Sequence, residues 1–222
     1  MSKIEIINVS KQIKKKYVIK NITETFESGN IIGLKGINGS GKTMLMRLIA
    51  GLILPTEGKI IIDNKELHRD ISFPDSIGVL LENPSFLDAY TGRQNLKLLA
   101  DIKKTASENS ISEILEKVGL DEAADIKYKK YSLGMKQRLG IAAAVFEKPD
   151  IVILDEPTNS LDDNGVEMVK QLVEEEKARG ALVLISCHDY EVLSYLANVI
   201  YEIEDGSITG CKKKGDYNEN QS

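Results

Sequence analysis

At 222 residues the chain is long enough for one substantial core with room for a subdomain. Apolar residues at 42% and charged residues at 28% are an ordinary globular composition, and a net charge of −5 gives no reason to expect nucleic acid as the main partner. No apolar run approaches bilayer-spanning length, and the start Met1-Ser2-Lys3-Ile4-Glu5 has no signal-peptide core, so the chain is expected to stay in the cytoplasm. Cys187 and Cys211, the only cysteines, lack the spacing of a zinc, redox or disulfide framework.

The opening section reads as β. Lys3 to Val9 alternates, Lys14-Lys15-Lys16 suits a solvated hairpin tip, and Ile19 to Phe26 is the returning strand. Ile31 to Lys35 is a buried strand, and Met44 to Ala50 is helical. Pro55-Thr56-Glu57-Gly58 punctuates the chain before a short strand, Lys59 to Asp63, with a turn at Asp63-Asn64. A further strand, Ile77 to Leu81, precedes a change of character. From Thr91 to about Glu147 the spacing is helical, with Leu96, Leu99 and Ile102 on one face and Ile111, Ile114, Leu115 and Val118 on another.

Sheet character returns at Ile151-Val152-Ile153-Leu154, an apolar run suited to a parallel strand covered on both faces. A helix from about Asn164 to Arg179 ends at Gly180, Ala181 to Ser186 is the next core strand, and Val199 to Ile203 with Ser207 to Thr209 make a closing hairpin around Asp205-Gly206. The order implies an α/β fold in which residues 1–83 and 148–210 form a mostly parallel core sheet with an N-terminal antiparallel β subdomain. Residues 84–147 form an inserted helical subdomain, and 211–222 a polar tail.

Between the strand Ile31–Lys35 and the helix after it stands Gly36-Ile37-Asn38-Gly39-Ser40-Gly41-Lys42-Thr43, the G-x-x-x-x-G-K-[ST] pattern of a phosphate-binding loop. Small residues let successive N–H groups turn inward around phosphate oxygens, and the helix adds its positive N-terminal end. Lys42 is placed to reach the outer phosphates and the Thr43 hydroxyl to sit on Mg²⁺. At the end of Ile151–Leu154 come Asp155 and Glu156, at a strand's carboxyl end where α/β sheets bind ligands. Asp155 suits Mg²⁺ or its waters. Glu156 can face a water in line with the terminal phosphate as general base, a role that contributes about 10²–10⁴-fold. Kinases, switch GTPases and other nucleotidases share this much.

Tyr131-Ser132-Leu133-Gly134-Met135-Lys136-Gln137-Arg138 lies 23 residues before Asp155, counted from Ser132, and opens a helix. A serine and a glycine at a helix N-terminus offer O–H and N–H donors to a second face of a triphosphate. The stretch resembles the signature of ABC-type ATP-binding subunits, and with the P-loop and Asp155-Glu156 in this order the resemblance extends over nearly the whole chain. It implies the ABC ATPase fold, ATP as substrate with Mg²⁺, and a D-loop at Ser160, Leu161 and Asp162. It also implies a switch histidine at His188, 32 residues after Glu156, facing the γ-phosphate. Ser132, Leu133, Gly134 and Met135 would act in trans on the nucleotide of a second ATP-binding subunit, in a homodimer or a heterodimer. Transmembrane permease subunits would hold the pair on the inner face of the cell membrane, with Phe86, Leu87 and Tyr90 either beside the coupling groove or packing the helical subdomain onto the sheet.

This chain departs from the family's pattern in three places. Glu82 stands where a glutamine is usual, where it can ligate Mg²⁺ but adds negative charge beside the phosphates. Leu133 and Met135 stand where glycine and glutamine are common. The adenine-stacking position falls on Ile13, with Tyr17 the nearest aromatic, so weak discrimination between ATP and GTP is expected. Glu82 together with the Ser-Leu-Gly-Met pattern resembles the bacitracin and lantibiotic exporters. A non-transport relative, regulating a cell-envelope complex or serving an assembly machinery, is the alternative.

Overall fold

The computed structural model describes residues 2–82, 84–103 and 107–215. Asn83, residues 104–106 of the helical block, Met1 and the tail from Asp216 onward lie outside the described residues.

Two sheets carry the chain. The first is antiparallel, in the order β2-β1-β4-β5, and is built from β1 (Lys3–Ile13), β2 (Lys16–Glu27), β4 (Glu57–Ile62) and β5 (Lys65–Glu66). Two-residue turns set its registers: Lys14-Lys15 joins Ile13 to its partner Lys16, and Asp63-Asn64 joins Ile62 to Lys65, with positive φ at all four turn residues. That is the twist a tight hairpin demands. The charged tip at Lys14–Lys16 is as expected, although β1 and β2 both run further toward it than the alternation indicates.

The second sheet has the order β10-β9-β3-β8-β7-β6, with β3 (Ile31–Lys35), β6 (Ile77–Leu80), β7 (Ile151–Asp155), β8 (Leu182–Ser186), β9 (Val199–Glu204) and β10 (Ser207–Lys213). Its neighbours are parallel except for the closing β9–β10 hairpin. β7 and β8 are buried along their whole length because both faces are covered. Alternate residues feed two cores. Ile151, Ile153, Leu182 and Leu184 pack with the antiparallel sheet and α1 (Lys42–Ile49), whereas Val152, Leu154, Val183 and Ile185 pack with the helices of the opposite face. β10 continues to Lys213, so strand pairing occupies Cys211 to Lys213, where a polar tail is expected.

Between β6 and β7 come α2 (Gly92–Lys103), α3 (Glu108–Lys117), a 3-10 turn at Tyr128–Lys130 and α4 (Leu133–Val145). Ile111, Ile114, Leu115 and Val118 are buried together as expected. On α2 the apolar face is narrower than its spacing suggests: Leu96 is buried and Leu99 half-buried, but Ile102 is 78% exposed. Ile102 stands at the rim of a groove of about 440 Å³ that also includes Leu81, Pro84, Phe86 and Gly140. α4 seats directly on β6, where a Cβ on Gly78 would lie 1.7 Å from the Ala144 carbonyl oxygen. No larger residue fits there, so this glycine sets how close the helical block sits to the sheet.

α5 (Asp163–Ala178) starts on Asp162, whose carboxylate accepts the Gly165 N–H at 2.9 Å. It ends in a Schellman motif, with Gly180 at φ 93°, Gly180 N–H to Lys177 O and Ala181 N–H to Glu176 O. α6 (Tyr190–Leu196) follows β8. Among the described residues no helix is long and apolar enough to cross a membrane.

Candidate active site

The strand order decides the site. β8 lies between β3 and β7, so the carboxyl ends of three neighbouring strands deliver the P-loop, Ser186 and Asp155 side by side. Thr43 Oγ1 donates to Asp155 Oδ2 at 2.5 Å, and Ser186 Oγ donates to Asp155 Oδ1 at 2.5 Å. Both carboxylate oxygens are therefore engaged and the buried side chain is held rigid. The Ser186 hydroxyl also accepts the Glu156 N–H at 3.0 Å. Nothing in the sequence pattern singles out Ser186. Its role follows from the pairing of Asp155 with Ser186 across β7 and β8.

The P-loop wraps Lys42. The ammonium donates to Gly36 O at 2.7 Å and to Ile37 O at 3.4 Å, and it lies 3.9 Å from Glu156 Oε1. Buried cations need such partners, and the loop carbonyls supply them. Gly41 caps α1 at φ 119° with no side-chain cap, so the first N–H groups of the helix stay free for an anion. Behind the loop, Gly206 of the β9–β10 turn donates its N–H to Ser40 O at 2.8 Å and accepts the Lys20 N–H through its own carbonyl. With φ 81° and only 2.6 Å between a Cβ position and Val18 O, no side chain is accommodated at 206.

Glu156 sits at φ 50°, one residue past the strand. Its Oε2 accepts the His188 backbone N–H at 3.0 Å. Its Oε1 is buried and makes no well-formed hydrogen bond among the described residues: the His188 ring Nε2 stands 3.4 Å away and Lys42 Nζ at 3.9 Å. Burial pushes the carboxyl above its ordinary 4.5, while His188 and then Lys42 pull it down and Asp155 adds a smaller upward push. A carboxylate raised in this way, with one oxygen lacking a donor, is primed to take a proton.

Two openings flank the P-loop. One, of about 310 Å³, brings together Val18, Lys42, Thr43, Arg47, Glu82, Asp155 and Glu156. The other, of about 630 Å³, runs past Ile37, Ser40, Cys187, His188 and Glu202. Neither is lined by Ile13 or Tyr17, the two residues marked for the base; the Tyr17 hydroxyl donates instead to Glu57 at 3.0 Å, and Val18 faces the cleft.

The Ser132–Met135 segment lines neither opening. Ser132 caps α4 by accepting the Met135 N–H at 3.2 Å, and Leu133 is 73% exposed. Gly134 abuts the D-loop segment, where a Cβ would come within 2.9 Å of Ser160 O. Ser160 is at φ 63°, Leu161 packs partly buried against the core, and Asp162 accepts from Arg138 at 3.1 Å. Gln137 reaches back to the other half of the site, donating to both Glu156 O and Pro157 O at 3.1 Å.

Among the described residues no three His, Cys, Asp or Glu side chains form a metal cage. The oxygen donors present, Thr43, Asp155 and nearby Glu82, suit a hard cation that takes most of its ligands from phosphates and water.

A P-loop after β3, an Asp-Glu pair at the end of the next-but-one strand of the sheet, and a helical block whose last helix, α4, is capped by Ser132 with Gly134 in its first turn define an ATP-binding cassette. The chain belongs to the ABC transporter family, whose profile matches residues 19–159, and it is an ABC ATPase. It is 50% identical over 210 residues to the uncharacterized ABC transporter ATP-binding protein YybJ of Bacillus subtilis, covering 95% of this chain and 96% of YybJ. It is 34% identical over 218 residues to the lantibiotic transport ATP-binding protein SrtF of Streptococcus pyogenes, covering 98% and 93%. The dimeric structure of MJ0796, a bacterial ABC transporter cassette, superposes with a TM-score of 0.87 at 26% identity, covering 95% and 98%.

Proposed function

We propose that this chain is the ATP-hydrolysing subunit of an exporter, working as a closed pair in which each nucleotide lies between Gly36–Thr43 of one subunit and Ser132–Met135 of the other. The supporting observation is that Ser132, Leu133 and Gly134 head an exposed helix N-terminus outside both openings beside their own P-loop. A triphosphate resting on this P-loop therefore receives its second clamp from another chain. Lys42 exchanges its loop carbonyls for β- and γ-phosphate oxygens, and the free N–H groups of α1 close on the same anion.

Thr43, Asp155 and Glu82 are the residues that would hold Mg²⁺, which would supply positive charge to offset that of the phosphates. Glu156 takes a proton from the attacking water through Oε1. The water oxygen bonds to the γ-phosphorus as the bond to the ADP oxygen breaks, giving ADP and phosphate. His188, donating its backbone N–H to Glu156 Oε2, holds the base and presents its ring to the γ-phosphate. Loss of the bridging phosphate removes the charge that both subunits grip, and the pair opens.

The motion passes to a separate permease on the inner face of the membrane through the groove rimmed by Leu81, Pro84, Phe86 and Ile102. Phe86 is held there edge-on to Tyr128 at 5.4 Å, while Leu87 and Tyr90 are exposed beside it. The similarity to SrtF supports a lantibiotic-like peptide or other small amphipathic cargo. The test is a Glu156→Gln variant incubated with ATP. It should elute as a dimer and retain a permease in a membrane pull-down, and a monomeric elution or a pull-down free of membrane proteins would overturn the reading.

A further inference from the structure

The cleft that holds Thr43, Asp155 and Glu156 has a second charged pair at its mouth. Arg47, in the last turn of α1, places Nη2 2.7 Å from Glu82 Oε1. The ionisable side chains lining this cleft are two cations, Lys42 and Arg47, and three carboxylates, Glu82, Asp155 and Glu156. Lys42 is occupied by the Gly36 and Ile37 carbonyls, and Asp155 by two hydroxyls. Glu156 is largely covered, with the His188 N–H on Oε2 and the His188 ring and Lys42 beside Oε1. Glu82 is thus the exposed carboxylate that an incoming polyphosphate meets at the mouth, answered there by Arg47. The pair is solvent-facing, with Glu82 62% and Arg47 34% exposed, so it opens at little cost. Glu82 also sits at φ 57° just past β6, where the chain leaves the sheet for the helical block.

We infer that Arg47 is a positioning residue that masks Glu82 until a divalent cation takes it over, so that Arg47 governs how strongly nucleotide binding depends on that cation. With no metal, Arg47 cancels the repulsion between Glu82 and the phosphates. With metal present the Glu82 carboxylate turns to the cation and Arg47 is released. Glu82 is unsuited to the cleft alone and suited to it with either partner.

This rests on the nucleotide reading of the cleft, and the experiment separates the two. A fluorescent non-hydrolysable ATP analogue is titrated into the full chain, with Mg²⁺ and with EDTA, for the wild type and for Arg47→Gln, Glu82→Gln and the double variant. Arg47→Gln should weaken binding about three- to fivefold in EDTA, the scale of one exposed ion pair, and by less than about twofold in Mg²⁺. In the Glu82→Gln background the same change should have little effect in either condition. An equal loss with and without Mg²⁺, an undiminished loss in the Glu82→Gln background, or no loss in EDTA would overturn the inference while leaving the nucleotide site intact. Absence of binding by the wild type in both conditions would overturn both.

Discussion

Ser186 and Asp155 are cross-strand partners whose side chains meet at 2.5 Å, and the same serine oxygen receives the Glu156 N–H. One buried hydroxyl thus orients the carboxylate facing Thr43 and the backbone of the proposed base together. The arrangement follows from the parallel register of β7 and β8.

Replacing Ser186 by alanine strands Asp155 Oδ1 and weakens the anchor of Glu156. The expected loss is about 1–3 kcal/mol of stability, the cost of an unsatisfied buried group, together with slower ATP turnover. Urea unfolding and phosphate release check the two effects, and unchanged values for both would remove Ser186 from the site.

Glu156→Gln should lower ATP turnover by about 10²–10⁴-fold while nucleotide binding persists. The same variant should be more heat-stable than the parent at neutral pH. Burial raises the Glu156 carboxyl in the folded state, so across the window from its ordinary 4.5 up to the folded value the native chain holds more protons than the unfolded chain. Stability therefore falls as pH rises through that window, and glutamine escapes the loss. Melting curves should place the Glu156→Gln midpoint above that of the parent at neutral pH. The gain should shrink below about pH 4, where the parent carboxyl is itself protonated. A gain that grew on acidification would contradict the burial argument.

Gln137→Leu removes two hydrogen bonds, to Glu156 O and Pro157 O. The expected cost is about 1–3 kcal/mol, because both carbonyls lose a donor in a largely dry setting. Hydrogen exchange should rise at residues 156–161 more than in β8. Uniform exchange changes would mean that the contact is incidental.

Gly206→Val places a branched side chain at φ 81° against Val18 O. The strain and the clash should together shift the Ser40 contact and weaken ATP binding at least tenfold, which isothermal titration will measure. The more distant Gly180→Ala, with open space around its Cβ position, should cost only about 1 kcal/mol and spare binding.

Much of this site can be read from residue order because its chemistry demands fixed spacing along one segment. Gly36 to Thr43 must supply consecutive N–H groups, and Asp155-Glu156 must end a strand. The fold class follows from the apolar runs Ile31–Leu34, Ile151–Leu154 and Ala181–Ile185, whose lack of alternation marks strands covered on both faces. Ser186, Gln137 and Val18 are less visible, since each acts across a distance in sequence that only strand order closes. Ile102 misleads for a related reason. Its spacing belongs to the buried face of α2, but at that turn the face borders the open groove instead of the packed core. The continuation of β10 through Cys211 to Lys213 is hidden because edge pairing to β9 tolerates the polar residues that otherwise suggest a tail.

Arg138 joins Val118 O to Asp162 at the start of α5, and Gly134 rests against Ser160. The surface proposed to reach a neighbour's fuel is thus bolted to the stretch that follows the chain's own proposed base, Glu156. In the proposed pair the two engines are geared crosswise. Each subunit's grip on the neighbour's nucleotide is then tied to the end of its own catalytic strand.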